Sequence, residues 1–325
     1  MQRRILIYSG RADREAAARA VAVARAVLRR DPGATCLLAG RGLTPLADAP
    51  DGLTVVELPA LVADGGQAGG PQAARAGLRL LADLALSFLP HVVVVDSDPL
   101  GALGELATAL AALSAMARPP RTWLALDDLD LIRLGHQPCG LRALQRTAGR
   151  YGALLVFAEA DGCEPFVATA LLAGRVRSVG YAGWGRWAPA IAPDWTGHHT
   201  AGRQVVVAPA HLGPRQAPSR LGLQGAVSRA DLVVTAPDHP ALDLALAHGR
   251  SLLVLIGTAE APAADAEHIL RARALERRGR ARVLERAWLG TTELMRMAAV
   301  AAAIPPPPEG APTAERAARL LLDAA

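Results

Sequence analysis

Short, fully apolar runs bounded by turn residues alternate with Ala-rich helical stretches along most of the chain, and this alternation leaves few folds open. Ile5–Tyr8, Thr35–Ala39, Thr54–Leu58, Val92–Val95, Thr122–Leu126, Leu154–Phe157 and Val176–Val179 form one series of predicted strands. Gln204–Ala208, Leu232–Thr235, Leu252–Ile256 and Ala281–Leu284 form a second. A strand without polar alternation is buried on both faces, which calls for a parallel sheet with helices packed on either side. Helical patterns at Arg14–Val21, Glu105–Met116, Leu141–Arg150, Ala241–His248 and Ala266–Arg278 supply that cover. At 325 residues the chain can build two such sheets, so the expected class is α/β with two parallel-sheet domains.

The expected boundaries follow composition. Residues 1–183 form the first domain, and 184–203 a linker where Gly, Pro and His concentrate. Residues 204–304 form a second domain, and 305–325 a spacer with a terminal helix. Pro305–Pro308 cannot be helical or pair in a sheet and reads as stiff polyproline. Thr313 then caps Ala314–Ala324, a helix able to fold over either domain. Aromatics are 3% of a chain that is 51% hydrophobic, so the core must be Ala, Val and Leu. Against that background Trp184, Trp187 and Trp195, three of the five tryptophans, read either as packing between domains or as a surface for a protein partner.

The net charge is +5 and every basic residue is arginine. Arg14, Arg25 and Arg29 fall at helical spacing opposite Ala and Leu, as on a solvated face. The densest group, Arg271, Arg273, Arg277, Arg278, Arg280, Arg282 and Arg286, has no interleaved aromatics, which argues against nucleic acid. Cys36, Cys139 and Cys163 show neither metal spacing nor a disulfide framework, and no metal is expected. The N-terminal apolar run is too short for a signal peptide, and Arg79, Asp83, Pro90 and His91 interrupt the stretch around Leu78–Val95. A soluble cytoplasmic chain without a transmembrane segment is expected, with peripheral membrane contact left open.

The first strand runs through Ser9-Gly10-Arg11-Ala12-Asp13 straight into a helix. In parallel sheets such a turn usually cradles a phosphate or sugar, using glycines so that backbone N–H groups at the helix N-terminus can approach. Only Gly10 is present, and Arg11, Arg14 and Glu15 crowd the approach.

Arg3–Ser9, Ala22–Ala26 with Asp31–Ala34, Val95–Gly101 with Gly104–Leu106, and Val176–Tyr181 stand out in the first half, and Ala230–Val234, Ala247–Arg250 and Glu267–Ala272 follow in the second. Together and in this order these stretches resemble a group of bacterial predicted glycosyltransferases with the GT-B fold, distantly similar to the enzyme that adds N-acetylglucosamine in peptidoglycan synthesis. The resemblance implies two Rossmann-like domains, with the sugar nucleotide carried by the second.

The departures fall on the functional loops. The family's glycine turn ending in histidine is replaced by Arg14-Glu15-Ala16-Ala17, and its glycine-paired donor loop by Thr235-Ala236-Pro237-Asp238-His239-Pro240. Leu244 stands where a ribose-gripping glutamate is expected, and Asp243 would point about 100° away around the helix. Set beside the family it resembles, the chain is shortened between Val207 and Asp231, which leaves a shortened second domain. Only Glu267 and His268 match residues near the family's donor sugar.

The leading expectation is therefore a pseudoenzyme: a GT-B-like protein with a degraded nucleotide-sugar site, kept as a non-catalytic scaffold or accessory subunit, without cofactor. The alternative is an active hexosyltransferase with a rebuilt site. There Arg11, Arg14, Asp238, His239, Glu267 and His268 would hold the donor, and Asp98 or Asp127 would act as base. The acids Asp96, Asp98, Asp127, Asp128, Asp130, Glu159 and Asp161 all follow strands. They read as an acidic rim for a ligand or as helix caps along a solvated edge.

Overall fold

Ile5, Leu6, Ile7 and Tyr8 are each at most 2% exposed, as a strand in the middle of a sheet requires, and they lie in β1 (Arg4–Ser9). The computed structural model describes residues 2–10, 14–41, 43, 50–59, 71–101, 104–136, 138–158, 174–181, 196–200, 203–208, 222–256, 266–285 and 313–325. The chain divides into two compact units, 1–180 with 312–325, and 181–311.

In the first unit β1 is followed by α1 (Arg14–Arg30), β2 (Thr35–Gly40), β3 (Leu53–Glu57), α2 (Pro71–Phe88) and β4 (Val92–Asp96). Then come α3 (Glu105–Ser114), β5 (Arg121–Asp127), α4 (Asp128–His136), α5 (Pro138–Thr147), β6 (Ala153–Phe157) and β7 (Val176–Ser178). The seven strands are parallel, in the order β3-β2-β1-β4-β5-β6-β7. The chain builds outward from β1 to β3 and returns to the other side of β1 as β4. Between β1 and β4 the strand order reverses, and the carboxyl ends there flank the crevice where open α/β sheets take ligands.

In register, Ser9 faces Asp96, Asp127 faces Phe157, and Tyr8 faces Val95. Because side chains alternate, Ser9 and Asp96 share one face of the sheet, and Tyr8 projects from the other.

The second unit contains β8 (Thr196–Thr200), β9 (Arg203–Ala208), α6 (Leu223–Val227), β10 (Leu232–Thr235), α7 (Ala241–Ala247), β11 (Ser251–Ile256), α8 (Ala266–Arg277) and β12 (Arg282–Glu285). Its sheet has the order β12-β11-β10-β9-β8, parallel except for the antiparallel β8–β9 pair. Alternate residues Val205, Val207, Leu232, Val234, Leu253 and Leu255 form one core cluster, with Leu284 packed against it. Thr196–Thr200 lies inside the segment expected to be irregular linker. Thr-Gly-His-His-Thr has no apolar run to announce a strand, and the polar composition suits an edge.

The last helix, α9 (Thr313–Ala324), belongs to the first unit and packs on α1. Its Ala317, Ala318, Leu321 and Leu322 are buried, while Glu315 pairs with Arg29 at 2.6 Å on the surface. Among the described residues no helix is long and apolar enough to cross a membrane. Pro305–Pro308, Cys139, Cys163 and Arg286 have no described side-chain environment.

Burial rather than charge should hold the α1–α9 seam. Leu321→Ala is expected to cost about 2–5 kcal/mol in urea unfolding, and Glu315→Ala less than about 1 kcal/mol because that pair is exposed. Equal losses for the two variants would contradict this ranking.

Candidate functional site

Two ionic clusters lie at the carboxyl ends of β1 and β4, one on each face of the first sheet. On the face carrying Ser9 and Asp96 the centre is Arg19 of α1, 3% exposed. Its Nη1 donates to Asp127 Oδ2 at 2.6 Å and its Nη2 to Ser97 Oγ at 2.9 Å. Its Nε lies 2.8 Å from Asp96 Oδ1, close enough for an ion pair although the N–H is not aimed along a hydrogen bond. Asp130 Oδ2 is 3.5 Å from Nη2, and the guanidinium carbon sits 5.5 Å from the centre of the Phe157 ring.

The order of residues explains how this is assembled. Asp127 ends β5 and its Oδ1 accepts from the Asp130 N–H at 2.7 Å, while Asp130 Oδ2 accepts from the Asp127 N–H at 3.2 Å. The two acids cap α4 reciprocally, and each also presents an oxygen to Arg19. Ser97 follows Asp96 with φ 69°, a left-handed conformation that costs a non-glycine residue about 1–3 kcal/mol. Its N–H donates to the Ala125 carbonyl, and its hydroxyl receives Arg19.

Burial pushes the Asp96 carboxyl up from the ordinary 3.8 to about 7, with Arg19 pulling it down and Asp130 and Asp127 adding to the rise. Burial alone would lower Arg19, but the Asp96, Asp127 and Asp130 carboxylates outweigh it and hold the guanidinium firmly charged.

On the opposite face the Tyr8 hydroxyl donates to Glu105 Oε1, and Arg41 pairs with the same oxygen. Arg41 also donates from Nη1 to the Tyr8 hydroxyl at 3.3 Å and from Nε to the Pro59 carbonyl at 3.2 Å. Burial first, and then the Glu105 charge, keeps the Tyr8 phenol neutral. Two glycines make room for this group. A Cβ on Gly101 (φ 78°) would lie 2.8 Å from Glu105 Oε2 and 2.9 Å from the Tyr8 hydroxyl. A Cβ on Gly10 would lie 2.6 Å from the same hydroxyl. The glycine left in the first turn thus accommodates Tyr8.

Both arginines are turned inward onto carboxylates of the same chain. Asp127, proposed from sequence as a base, is capping α4 and paired with Arg19. Asp98 lies half-buried in the turn after β4, where its Oδ1 accepts from the Leu100 N–H at 3.0 Å. Arg14 is the first residue of α1; Arg11, Glu159, Asp161, Trp184, Trp187 and Trp195 lie outside the described residues.

Arg19 is not among the α1 arginines that the sequence singles out, which are Arg14, Arg25 and Arg29. The signal was its position: Ala16, Ala20, Val23 and Val27 on the same stripe are all buried, so an arginine among them faces the sheet.

In the second unit, the turn after β10 closes on itself. His239 Nδ1 accepts from the Ala241 N–H at 3.1 Å, and the His239 carbonyl from the Leu242 N–H at 3.0 Å. The Pro240 carbonyl accepts from the Leu244 N–H at 3.2 Å. Asp238 is exposed and His239 half-buried. Leu244 is 4% exposed in the core, while Asp243 is held by Arg271 of α8, tying α7 to α8. Glu267 and His268 stand half-buried in the first turn of α8.

No protein-family model and no curated protein sequence matches the chain. Solved structures do. MurG from Acinetobacter baumannii is 11% identical with a TM-score of 0.56, over 99% of this chain and 100% of that one. The glycosyltransferase SnogD from Streptomyces nogalater is 18% identical with a TM-score of 0.54, over 99% and 100%. UDP-glucose: anthocyanidin 3-O-glucosyltransferase, solved in complex with UDP, is 8% identical with a TM-score of 0.57, over 100% and 94%. The chain has the two-domain α/β fold of GT-B glycosyltransferases, and at these identities the likeness is one of fold.

Removing the central cation tests whether the first cluster is closed. Arg19→Met should cost about 3–5 kcal/mol in chemical unfolding, because it strands buried carboxylates. A loss under about 1 kcal/mol would mean the acids are solvated instead.

Proposed function

We propose that this chain is a GT-B-fold protein without transferase activity, acting as a cytoplasmic scaffold or accessory subunit through contacts with another protein. The observation that carries the proposal is the turn from β10 into α7. A diphosphate at a helix N-terminus needs N–H groups left over for it. Here those of Ala241 and Leu242 have partners inside the turn, and Pro237 and Pro240 have none to give. The two positions considered for gripping a ribose are also occupied otherwise, Leu244 in the core and Asp243 with Arg271.

The first unit adds support. Arg19 and Arg41, two cations at the carboxyl edge beside β1, are both committed to buried carboxylates. The protein partner would use surface elsewhere, for which Trp184, Trp187 and Trp195 are the sequence candidates.

The competing reading is an active hexosyltransferase using Glu267 and His268 toward the donor sugar. Calorimetric titration of the full chain with UDP-glucose, UDP-N-acetylglucosamine and dTDP-glucose separates the two. No binding tighter than about 1 mM, that is, stronger than about −4 kcal/mol, is expected. A micromolar Kd for any of them, abolished by the double change Glu267→Ala and His268→Ala, would establish the active enzyme in its place.

A further inference from the structure

We propose that Asp96 and Ser97 form a proton-controlled catch at the carboxyl edge of the first sheet, holding the first half of α1 down when the Asp96 carboxyl is protonated and releasing it when ionised. This goes beyond the function proposed above and does not depend on it.

The geometry has a poised element and a trigger. The poised element is Ser97, whose backbone is left-handed without being glycine and whose hydroxyl is held by Arg19 Nη2. Lifting Arg19 with its helix frees that hydroxyl and lets the residue relax toward an ordinary conformation. The trigger is Asp96, 2% exposed. The groups that face it are Arg19 from α1, Asp127 from the end of β5, Asp130 from α4, and Ser9, its register neighbour in β1. One cation therefore serves several acids. Asp96 Oδ2 and Ser9 Oγ are both buried without a hydrogen-bond partner. A proton on Asp96 turns an enclosed acceptor into a donor and removes one negative charge from around Arg19.

The direction follows from linkage. In the closed state burial, opposed by Arg19 and reinforced by Asp130 and Asp127, raises Asp96 to about 7. Once hydrated in an opened state it would return to about 4, so between about pH 4 and about pH 7 the opened state binds fewer protons. Rising pH then favours opening by up to about tenfold per pH unit, levelling off above about pH 7. The catch is engaged on the acid side of neutrality and loosened on the alkaline side.

Amide hydrogen exchange on the full chain, from about pH 5.5 to about pH 8.5 and corrected for intrinsic exchange, reads this directly. Protection of the α1 amides over residues 14–20 should fall with pH by up to about tenfold per unit and then level off, while the β10 amides stay flat. Asp96→Asn should hold α1 protected and remove the slope. A flat wild-type profile, or the same slope in Asp96→Asn, would overturn the catch. Should Asp96→Asn fail to fold, carboxyl-carbon NMR titration of wild-type Asp96 decides: a midpoint near 7 supports it, and one below about 5 refutes it.

Discussion

A single guanidinium, that of Arg19, organises the most consequential edge of the first unit. It reaches the last residue of β4, the last residue of β5, the first turn of α4 and the ring that ends β6. Each of those elements arrives from a different part of the chain, and each needs a fixed end point. A buried ion cluster is a weak source of net stability, because desolvating the charges offsets most of their attraction. Its effect is positional: with three carboxylates aimed at one planar cation, α1, β4, β5 and α4 have few other relative arrangements available. The Tyr8–Glu105–Arg41 group does the corresponding job on the opposite face, between β1, β2 and α3.

This arrangement uses up the part of the architecture that usually stays available. At the reversal of strand order, doubly covered sheets expose backbone donors and leave a gap between loops. Here the two strand ends that border the reversal carry Ser9 and Asp96, both enclosed. Gly10 and Gly101 give space to a tyrosine ring and a glutamate. The second unit follows a similar logic at a different place, where a histidine nitrogen and two prolines complete the start of α7. Likeness of fold to sugar-nucleotide transferases therefore sits beside local chemistry turned inward.

Much of the fold could be read from the residues because burial on both faces leaves an unmistakable record: Val92 to Val95 or Leu252 to Ile256 have no polar interruption to explain away. Boundaries shifted by a residue or two, as at β5, where Arg121 and Asp127 extend the apolar run. β8 was missed because a polar edge strand carries no such record. The site was harder. Its acids were visible, since they follow strands, but their meaning was set by a cation far away in sequence; Arg19 and Asp127 are 108 positions apart. Glu105 looked like an ordinary helix start, and only the packing of Tyr8 and Arg41 against it reveals a buried triad. Long-range pairing of charges has no periodicity, and without periodicity a single sequence offers little warning.

The position of α9 has a temporal consequence. This helix follows the second unit in the chain yet completes the first by covering α1. During synthesis on the ribosome the first sheet would emerge early and wait, with the outer seam of α1 bare, until the whole of the intervening unit had been made. The nascent chain would thus carry that seam uncovered while the second unit is made, and chaperone occupancy of it would be governed by how quickly residues 181–311 are threaded out.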